Sequence, residues 1–214
     1  MEDQFESKLA DVVKPVALCT PARKNDEGVV DLDTHLEAYK IRDRLTKPPQ
    51  SKFVRRRHTV ENQLGKLVVD VRKLDRLLMP TGKQLDDGVP EVPAGGSVDH
   101  YACYAVTVAK SPKGQPAFPK FTPVDVFVED QFGKRRVRLQ QPARLCAPAS
   151  QDGDEIGQPA NHLTCYKTTL VLTEPPQPSV GRTHVFLNNQ FGPEVLDRTG
   201  LLEFCITSLK GLAP

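Results

Sequence analysis

The chain has 214 residues, 38% of them hydrophobic, and its 29 basic and 27 acidic residues leave a net charge of +2. Interspersed charge of this kind gives no strong preference for nucleic acid or an anionic membrane. No run of eighteen apolar residues is present, which excludes a membrane-spanning helix, and the first thirty residues lack the sections of a secretory signal. Nineteen Pro, fourteen Gly and short apolar runs predict an all-β protein.

Three short motifs recur along the chain in a fixed order, which predicts tandem units of about sixty residues. The first motif places a His four residues before a Tyr, in His35–Tyr39, His100–Tyr104 and His162–Tyr166. The second is a Gln preceded by Asp or Asn, at Gln4, Gln63, Gln131 and Gln190. The third contains Cys19, Leu78, Cys146 or Cys205, each fifteen residues after one of those glutamines. We expect short antiparallel strands in a sandwich- or barrel-like arrangement.

The motifs also divide the chain. Residues 1–21 match only the second half of a unit, so residues 1–81 are predicted to hold a half repeat and the first full repeat. Residues 82–98, which contain Pro90, Pro93 and Gly95-Gly96, are predicted to be a linker because they lack any periodic pattern. Residues 99–214 would hold the second and third repeats. The segment from Val71 to Leu78 can be read as part of a strand or as a helical turn.

The five cysteines are sorted by comparing the units with one another. Cys103 and Cys146 occur together in the second unit, and Cys165 and Cys205 occur together in the third. The first unit has Ala38 and Leu78 at the two places, so both cysteines are lost together. Joint presence or loss predicts disulfides within units, each stabilising by about 3–4 kcal/mol, and leaves Cys19 as a free thiol. Pairing between units, Cys146 with Cys165, stays open as the alternative.

Disulfides predict an oxidising compartment, so we expect a secreted, cell-surface or periplasmic protein. A zinc site is the weaker interpretation, because the sequence has no Cys-x-x-Cys, and His100 and His162 each lie three residues from a single Cys, on the opposite face of a strand. We therefore predict no bound metal and no cofactor.

Two sets of polar residues have both a functional and a structural interpretation. Arg55, Arg56 and Arg57 are either an anion-binding patch or charges that protect an edge strand from pairing. The repeated His, Tyr and Gln residues are either ligand-binding groups or anchors of loops. Their presence in every unit favours structure: the Asp or Asn before each Gln would bond turn backbone while the Gln holds the loop.

Motifs of catalysis are missing from the sequence, which favours a non-enzymatic protein. It has no Gly-x-Ser-x-Gly, no phosphate-binding loop, no Gly-x-Gly-x-x-Gly and no His-Glu-x-x-His. Basic residues interleaved with aromatic ones, which nucleic-acid binding needs, are also missing.

The motifs resemble the cysteine-containing β repeats of uncharacterised secreted bacterial proteins, chiefly deltaproteobacterial, which form a domain of unknown function. That family has His-x-x-Cys-Tyr-Lys, then Asp-Gln-Phe-Gly, then Leu-Cys-x-Pro, usually in tandem. Residues His100–Tyr104, Asp130–Gly133, Leu145–Pro148, His162–Lys167 and Asn189–Gly192 carry the resemblance. The first unit departs from it by lacking both cysteines. The resemblance implies an exported protein and no particular activity.

The resulting hypothesis is an extracytoplasmic binding or assembly module. The incomplete N-terminal unit would leave a strand edge around residues 1–21, which a protein partner or a second copy could complete. The alternative is a hydrolase of an extracellular polymer, with His58, His184 and carboxylates meeting in a cleft between units. A third possibility is that the chain is a piece of a longer secreted protein.

Overall fold

The protein is built from strands, as its short apolar runs and frequent turn residues predict. A computed structural model describes residues 1–29, 31–93, 98–179 and 181–213. These residues include no helix long and apolar enough to cross a membrane. The all-β prediction is confirmed. The strands are β1 (Glu2–Asp3), β2 (Ala10–Cys19), β3 (Arg23–Lys24), β4 (His35–Asp43), β5 (Arg56–Asn62), β6 (Gly65–Gln84), β7 (His100–Val108), β8 (Val124–Asp130), β9 (Gly133–Ser150), β10 (His162–Leu170), β11 (Thr183–Asn189), β12 (Gly192–Arg198) and β13 (Glu203–Leu212).

The strands belong to one antiparallel sheet that closes on itself. Six strands form a circuit of pairings in the order β5, β6, β7, β9, β10, β13 and back to β5. Closure gives each of these six strands two partners, which reduces the length of edge with unpaired backbone groups. The strand β4 attaches to this circuit through β6, and β2 pairs in turn with β4. The circuit is therefore the frame of the molecule, and β2 lies at its margin.

Tight hairpins follow the second motif in each full unit. Asn62 pairs with Gly65, Asp130 with Gly133, and Asn189 with Gly192. The three glycines have φ angles of 108°, 117° and 101°, which residues with a Cβ resist. The first two of these turns start the long strands β6 and β9, which have 20 and 18 residues. The helical-turn interpretation of Val71 to Leu78 is wrong, because this stretch pairs with β7 and lies within β6.

The buried hydrophobic side chains of the sheet form several clusters. Val69, Val71, Tyr104 and Leu145 pack around Phe5, while Val137, Leu139, Tyr166 and Ile206 form another cluster. Strands from distant parts of the sequence supply each cluster, so burial of their apolar surface holds the circuit together. Within the expected linker, residues 82–84 belong to β6, and residues 94–97 lie outside the described residues.

Candidate functional site

The bonded cysteines lie opposite one another on neighbouring strands. Cys103 of β7 faces Cys146 of β9, and Cys165 of β10 faces Cys205 of β13. Disulfides join both pairs, as the comparison of units predicts. The sulfurs of Cys146 and Cys165 are 3.9 Å apart, so the alternative partner is near but not bonded. Ala38 faces Leu78 in the same relation, at the place where the first unit has no cysteine.

Each of three third-motif residues also faces a residue of the first-motif strand that follows it along the chain. Cys146 faces Leu163, Leu78 faces Tyr101, and Cys19 faces Leu36. The strands β6 and β9 thus have a partner on both edges at this place. The strand β2 differs, because among the described residues Ala17–Cys19 pair with β4 alone.

The strand β13 has a similar unpaired edge. Its residues Glu203–Ser208 pair with β10, and in the described part of the chain no strand lies on their other side. The preceding strand, β12, pairs with β11 alone within the same limits. We call the unpaired edges of Ala17–Cys19 and Glu203–Cys205 the open seam. Cys19 and Cys205 both pack against the cluster formed by Ala38, Leu78, Tyr101 and the other bonded cysteines.

Cys19 is the free thiol of the molecule, since the other four of the five cysteines are bonded. The residue as a whole is half-buried, but its sulfur lies deep enough that burial raises the pKa of the thiol to about 11. The negative charge of Glu203 contributes to the same shift. A thiol with this pKa is a poor nucleophile at neutral pH. Cys19 therefore has the environment of a packed side chain.

Three charged side chains act on the Cys19 thiol, and Asp75 joins them through Arg144. Arg144 donates to Asp75 at 2.6 Å and also contacts Glu203, while Arg76 donates to Glu203 at 3.4 Å. The two arginines and two carboxylates balance one another, which is the condition under which half-buried charges persist. Arg76, Arg144 and Glu203 each precede a third-motif residue by two positions. The sequence interpretation overlooked this network, although that shared spacing marks it.

The residue before each glutamine bonds its own turn and also a distant hydroxyl. Its Oδ1 accepts the backbone N–H two residues on, at Asp3, Asn62, Asp130 and Asn189, with distances of 2.6, 2.9, 2.7 and 2.8 Å. The other atom of the same group reaches a first-motif Tyr in three cases: Asp3 with Tyr104, Asn62 with Tyr166 and Asn189 with Tyr39. Asp130 instead accepts the hydroxyl of Thr20 at 3.2 Å.

The histidines of the first motif begin the strands β4, β7 and β10, and two of them bond the loop that precedes their strand. Nδ1 of His35 donates to the carbonyl of Asp33 at 2.8 Å, which leaves Nε2 to accept from Gln131 at 3.3 Å. His162 donates to the carbonyl of Ala160 and contacts Gln4 in the same way. Burial lowers the pKa of His35, His100 and His162, so they are neutral at pH 7. In His35 and His162 a neutral imidazole with a hydrogen bond at each ring nitrogen holds the loop before its strand.

Glu37, which faces Leu18 of β2, belongs to a buried polar network that the sequence interpretation missed. The Tyr39 hydroxyl lies 2.9 Å from Glu37 Oε2 and 2.7 Å from Glu194 Oε1. Its single proton can serve only one of these carboxylates. Burial, together with the hydrogen bond to Glu194, raises the pKa of Glu37 to about 8, so Glu37 keeps a proton at neutral pH. Asn189 donates to Glu37 at 2.8 Å.

The remaining residues singled out from the sequence are separate from the seam. Arg57 forms a two-bond ion pair with Asp70 and lies over the ring of Phe118, while Arg55 and Arg56 are exposed. His58 contacts the carbonyl of Gly211 at 3.3 Å, and the exposed His184 lies 2.8 Å from Asp197. No contact described for residues 1–29, 31–93, 98–179 and 181–213 joins these two histidines. In those same ranges, no three His, Cys, Asp or Glu side chains are grouped to hold a metal.

No family model, curated protein or solved structure matches the chain.

Proposed function

We propose that the protein is a non-enzymatic binding or assembly module that accepts an extended polypeptide strand at the open seam. The observation that carries the proposal is the one-sided pairing of Ala17–Cys19, at a place where β6 and β9 are paired on both edges. An added strand would form main-chain hydrogen bonds with β2 and β13.

The edge of β2 is compatible with a further strand. Its Pro15 lacks an N–H, a feature that often protects an edge. Pro142 occupies the same register in β9, where it faces Tyr166 as Pro15 faces Tyr39. Because β9 is nevertheless paired on both edges from Arg144 to Cys146, Pro15 does not prevent pairing at Ala17–Cys19.

The proposed compartment is extracytoplasmic. Two disulfides support it, because cross-links of this kind form and persist in oxidising compartments. Membership of the cysteine-containing β repeats of secreted proteins is part of the same proposal, on the strength of the motifs quoted above.

A partner polypeptide is a better occupant than a second copy of the chain. Each copy has strands of the first motif in β4, β7 and β10, and all three are already paired within the sheet. Self-association through one of them would require that strand to leave its own sheet.

The proposal is tested with a generic strand. The probe is a synthetic peptide of alternating Thr and Val, added to isotope-labelled protein, and the amide chemical shifts are followed by NMR. We expect shifts in Ala17–Cys19 of β2 and Glu203–Cys205 of β13, extending along β12. The same peptide with N-methyl groups on alternate residues should cause none, because it cannot form the backbone hydrogen bonds.

Matched variants locate the effect. Cys19→Lys places a charge on the seam and should abolish the shifts, whereas Cys19→Ala and Val124→Lys, the latter at an exposed position of β8, should keep them. Absence of shifts with the wild-type protein, or shifts at other strands, would contradict strand binding.

A hydrolase of an extracellular polymer is the alternative, favoured by the carboxyl pair Glu37 and Glu194, which both lie within hydrogen-bond distance of the Tyr39 hydroxyl. It has less support, because Glu37 is fully buried and His58 and His184 bond elsewhere. Activity on a polymer panel that disappears in both Glu37→Gln and Glu194→Gln would revive it.

A further inference from the structure

The residues of the open seam indicate the sequence pattern of the strand that it binds. This inference rests on the strand-binding function proposed above. We propose that the seam recognises an extended strand of the pattern His-x-x-Cys-Tyr. Its Cys would lie opposite Cys19, and its Tyr hydroxyl would be held by Asp130. The evidence comes from the three places where the same chain already has such a strand or its equivalent.

The first argument is the register of the cysteines. Cys146 and Cys205 each face a cysteine that is the fourth residue of a strand beginning with His. Where the long strand has Leu78 instead, the facing strand has Ala38, so the two positions change together. Cys19 occupies the position of Cys146 in its own register with the next strand, since it faces Leu36 as Cys146 faces Leu163. A cysteine at that position therefore indicates a facing cysteine.

The second argument is independent of the thiol and concerns Asp130. The three equivalent side chains, Asp3, Asn62 and Asn189, each bond a Tyr hydroxyl that directly follows the fourth position of the first motif. Asp130 has the same turn bond, to the N–H of Phe132, but its Oδ2 holds the hydroxyl of Thr20, the residue after Cys19. A carboxylate oxygen accepts more than one hydrogen bond. Asp130 is thus placed beside the seam with capacity for a Tyr.

The third argument is the chemistry of the seam walls. Val16, Ala17, Cys19 and Cys205 pack against the apolar cluster around the disulfides, so the occupant must present small or apolar groups there. Glu203, at the other wall, is already neutralised by Arg76 and Arg144. A strand with a cysteine at its centre satisfies this surface, whereas a charged side chain at the same place would be buried without a partner.

Binding is measured first, by fluorescence anisotropy with a labelled nonapeptide of the β10 sequence, His-Leu-Thr-Ser-Tyr-Lys-Thr-Thr-Leu, in which Ser replaces Cys. We expect it to bind about tenfold more tightly than the Thr-Val peptide, because the Tyr hydroxyl gains a bond to a carboxylate. Replacing its Tyr by Phe should remove that advantage.

Variants of the protein assign the advantage to Asp130. Asp130→Ala should weaken the Tyr peptide about tenfold without changing the Phe peptide. Asp130→Asn should bind normally, because Asn62 and Asn189 perform the same task. Asp125→Ala, on the same strand but in an exposed ion pair with Arg138, is the matched control. Circular dichroism of each variant checks that the turn still forms.

Register is measured second, with peptides whose cysteine is activated as a thiopyridyl disulfide. The reaction is run at alkaline pH, because the raised pKa keeps the Cys19 thiol protonated near neutrality. The Cys19 thiolate attacks the peptide sulfur, the new disulfide joins Cys19 to the peptide, and thiopyridone leaves with the electron pair of the broken bond. A peptide with Cys at its fourth position should react at least about tenfold faster than peptides with Cys at the third or fifth, which point to the opposite face of the strand. In urea the three rates should become equal.

Each result separates the two proposals. Preference for Tyr, its loss in Asp130→Ala and faster reaction from the fourth position would establish the pattern. Equal binding of all peptides, including the Thr-Val peptide, would overturn the pattern and leave strand binding standing. Failure of every peptide to bind would overturn both.

Discussion

The strands β9 and β2 carry the same motif, and they differ in what surrounds it. At Cys146, β9 has β7 on one edge and β10 on the other, and a disulfide to Cys103. At Cys19, β2 has β4 on one edge and, among the described residues, no strand on the other. Cys19 itself is a free thiol. One sequence pattern thus forms a completed seam in one region and an open seam in another. The motif therefore specifies the strand and its register in both regions, whereas, in the part of the chain that the structure describes, only β9 has a strand on each edge.

The largest effect is expected from breaking the completed seam. The double substitution Cys103→Ala with Cys146→Ala removes a cross-link between residues 43 positions apart. In the chain-entropy model its loss lowers the free energy of unfolding by about 4 kcal/mol. Urea denaturation measures this as a lower midpoint. Cys165→Ala with Cys205→Ala, which spans 40 positions, should give a similar loss, and a much smaller one would contradict equal roles for the two disulfides.

The second effect concerns Glu37, which lies in β4, the strand that pairs with β2. Glu37 occupies a place where β10 has Thr164, and burial with the Glu194 hydrogen bond raises its pKa to about 8. The folded state thus binds an extra proton between the ordinary carboxyl pKa and about 8. The contribution of this proton to the free energy of unfolding is fully present below that range. It is lost as the pH rises through 8, by about 2–4 kcal/mol.

Thermal unfolding from pH 5 to 9.5 tests this expectation. Glu37→Gln should remove most of the decline, because the neutral amide retains an acceptor for Asn189. The exposed Glu155→Gln is the control and should follow the wild type. A decline of equal size in Glu37→Gln and in the wild-type protein would exclude Glu37 as its source.

A smaller effect is expected where an Asp or Asn holds a Tyr. Tyr104→Phe removes the hydroxyl that donates to Asp3 at 2.7 Å, and burial raises the pKa of that carboxyl. We expect a loss of about 1–3 kcal/mol, because the buried acceptor loses its partner. Tyr166→Phe should cost less, since Asn62 keeps its bond to Ser208 at 3.0 Å. Chemical denaturation of the two variants shows whether this order holds.

The smallest effect is expected at the open seam itself. Cys19→Ala removes a half-buried thiol without a cross-link and should change the free energy of unfolding by less than about 1 kcal/mol. The same denaturation measurement, beside the loss at Cys103 and Cys146, gives the stability difference between an open and a completed seam. A loss as large as that of a disulfide would mean that Cys19 is a structural residue of the free protein.

The frequent Pro and Gly residues and the short apolar runs predicted the all-β class, and comparison of the units predicted the two disulfides. The disulfides could be predicted because cysteines that face one another in a strand pair are present or absent together, as Ala38 and Leu78 show by lacking cysteine jointly. The Tyr of the first motif and the Asp or Asn of the second were also recognised, but their contact was not. Tyr104 and Asp3 are 101 positions apart, and local spacing cannot indicate which unit supplies the partner.

The circuit of six strands has a kinetic consequence. It closes where β13 meets β5, and there the Thr59 hydroxyl donates to the carbonyl of Leu212, 153 positions along the chain. Contacts over such distances must overcome a large loop entropy before they stabilise anything. Folding should therefore be slow.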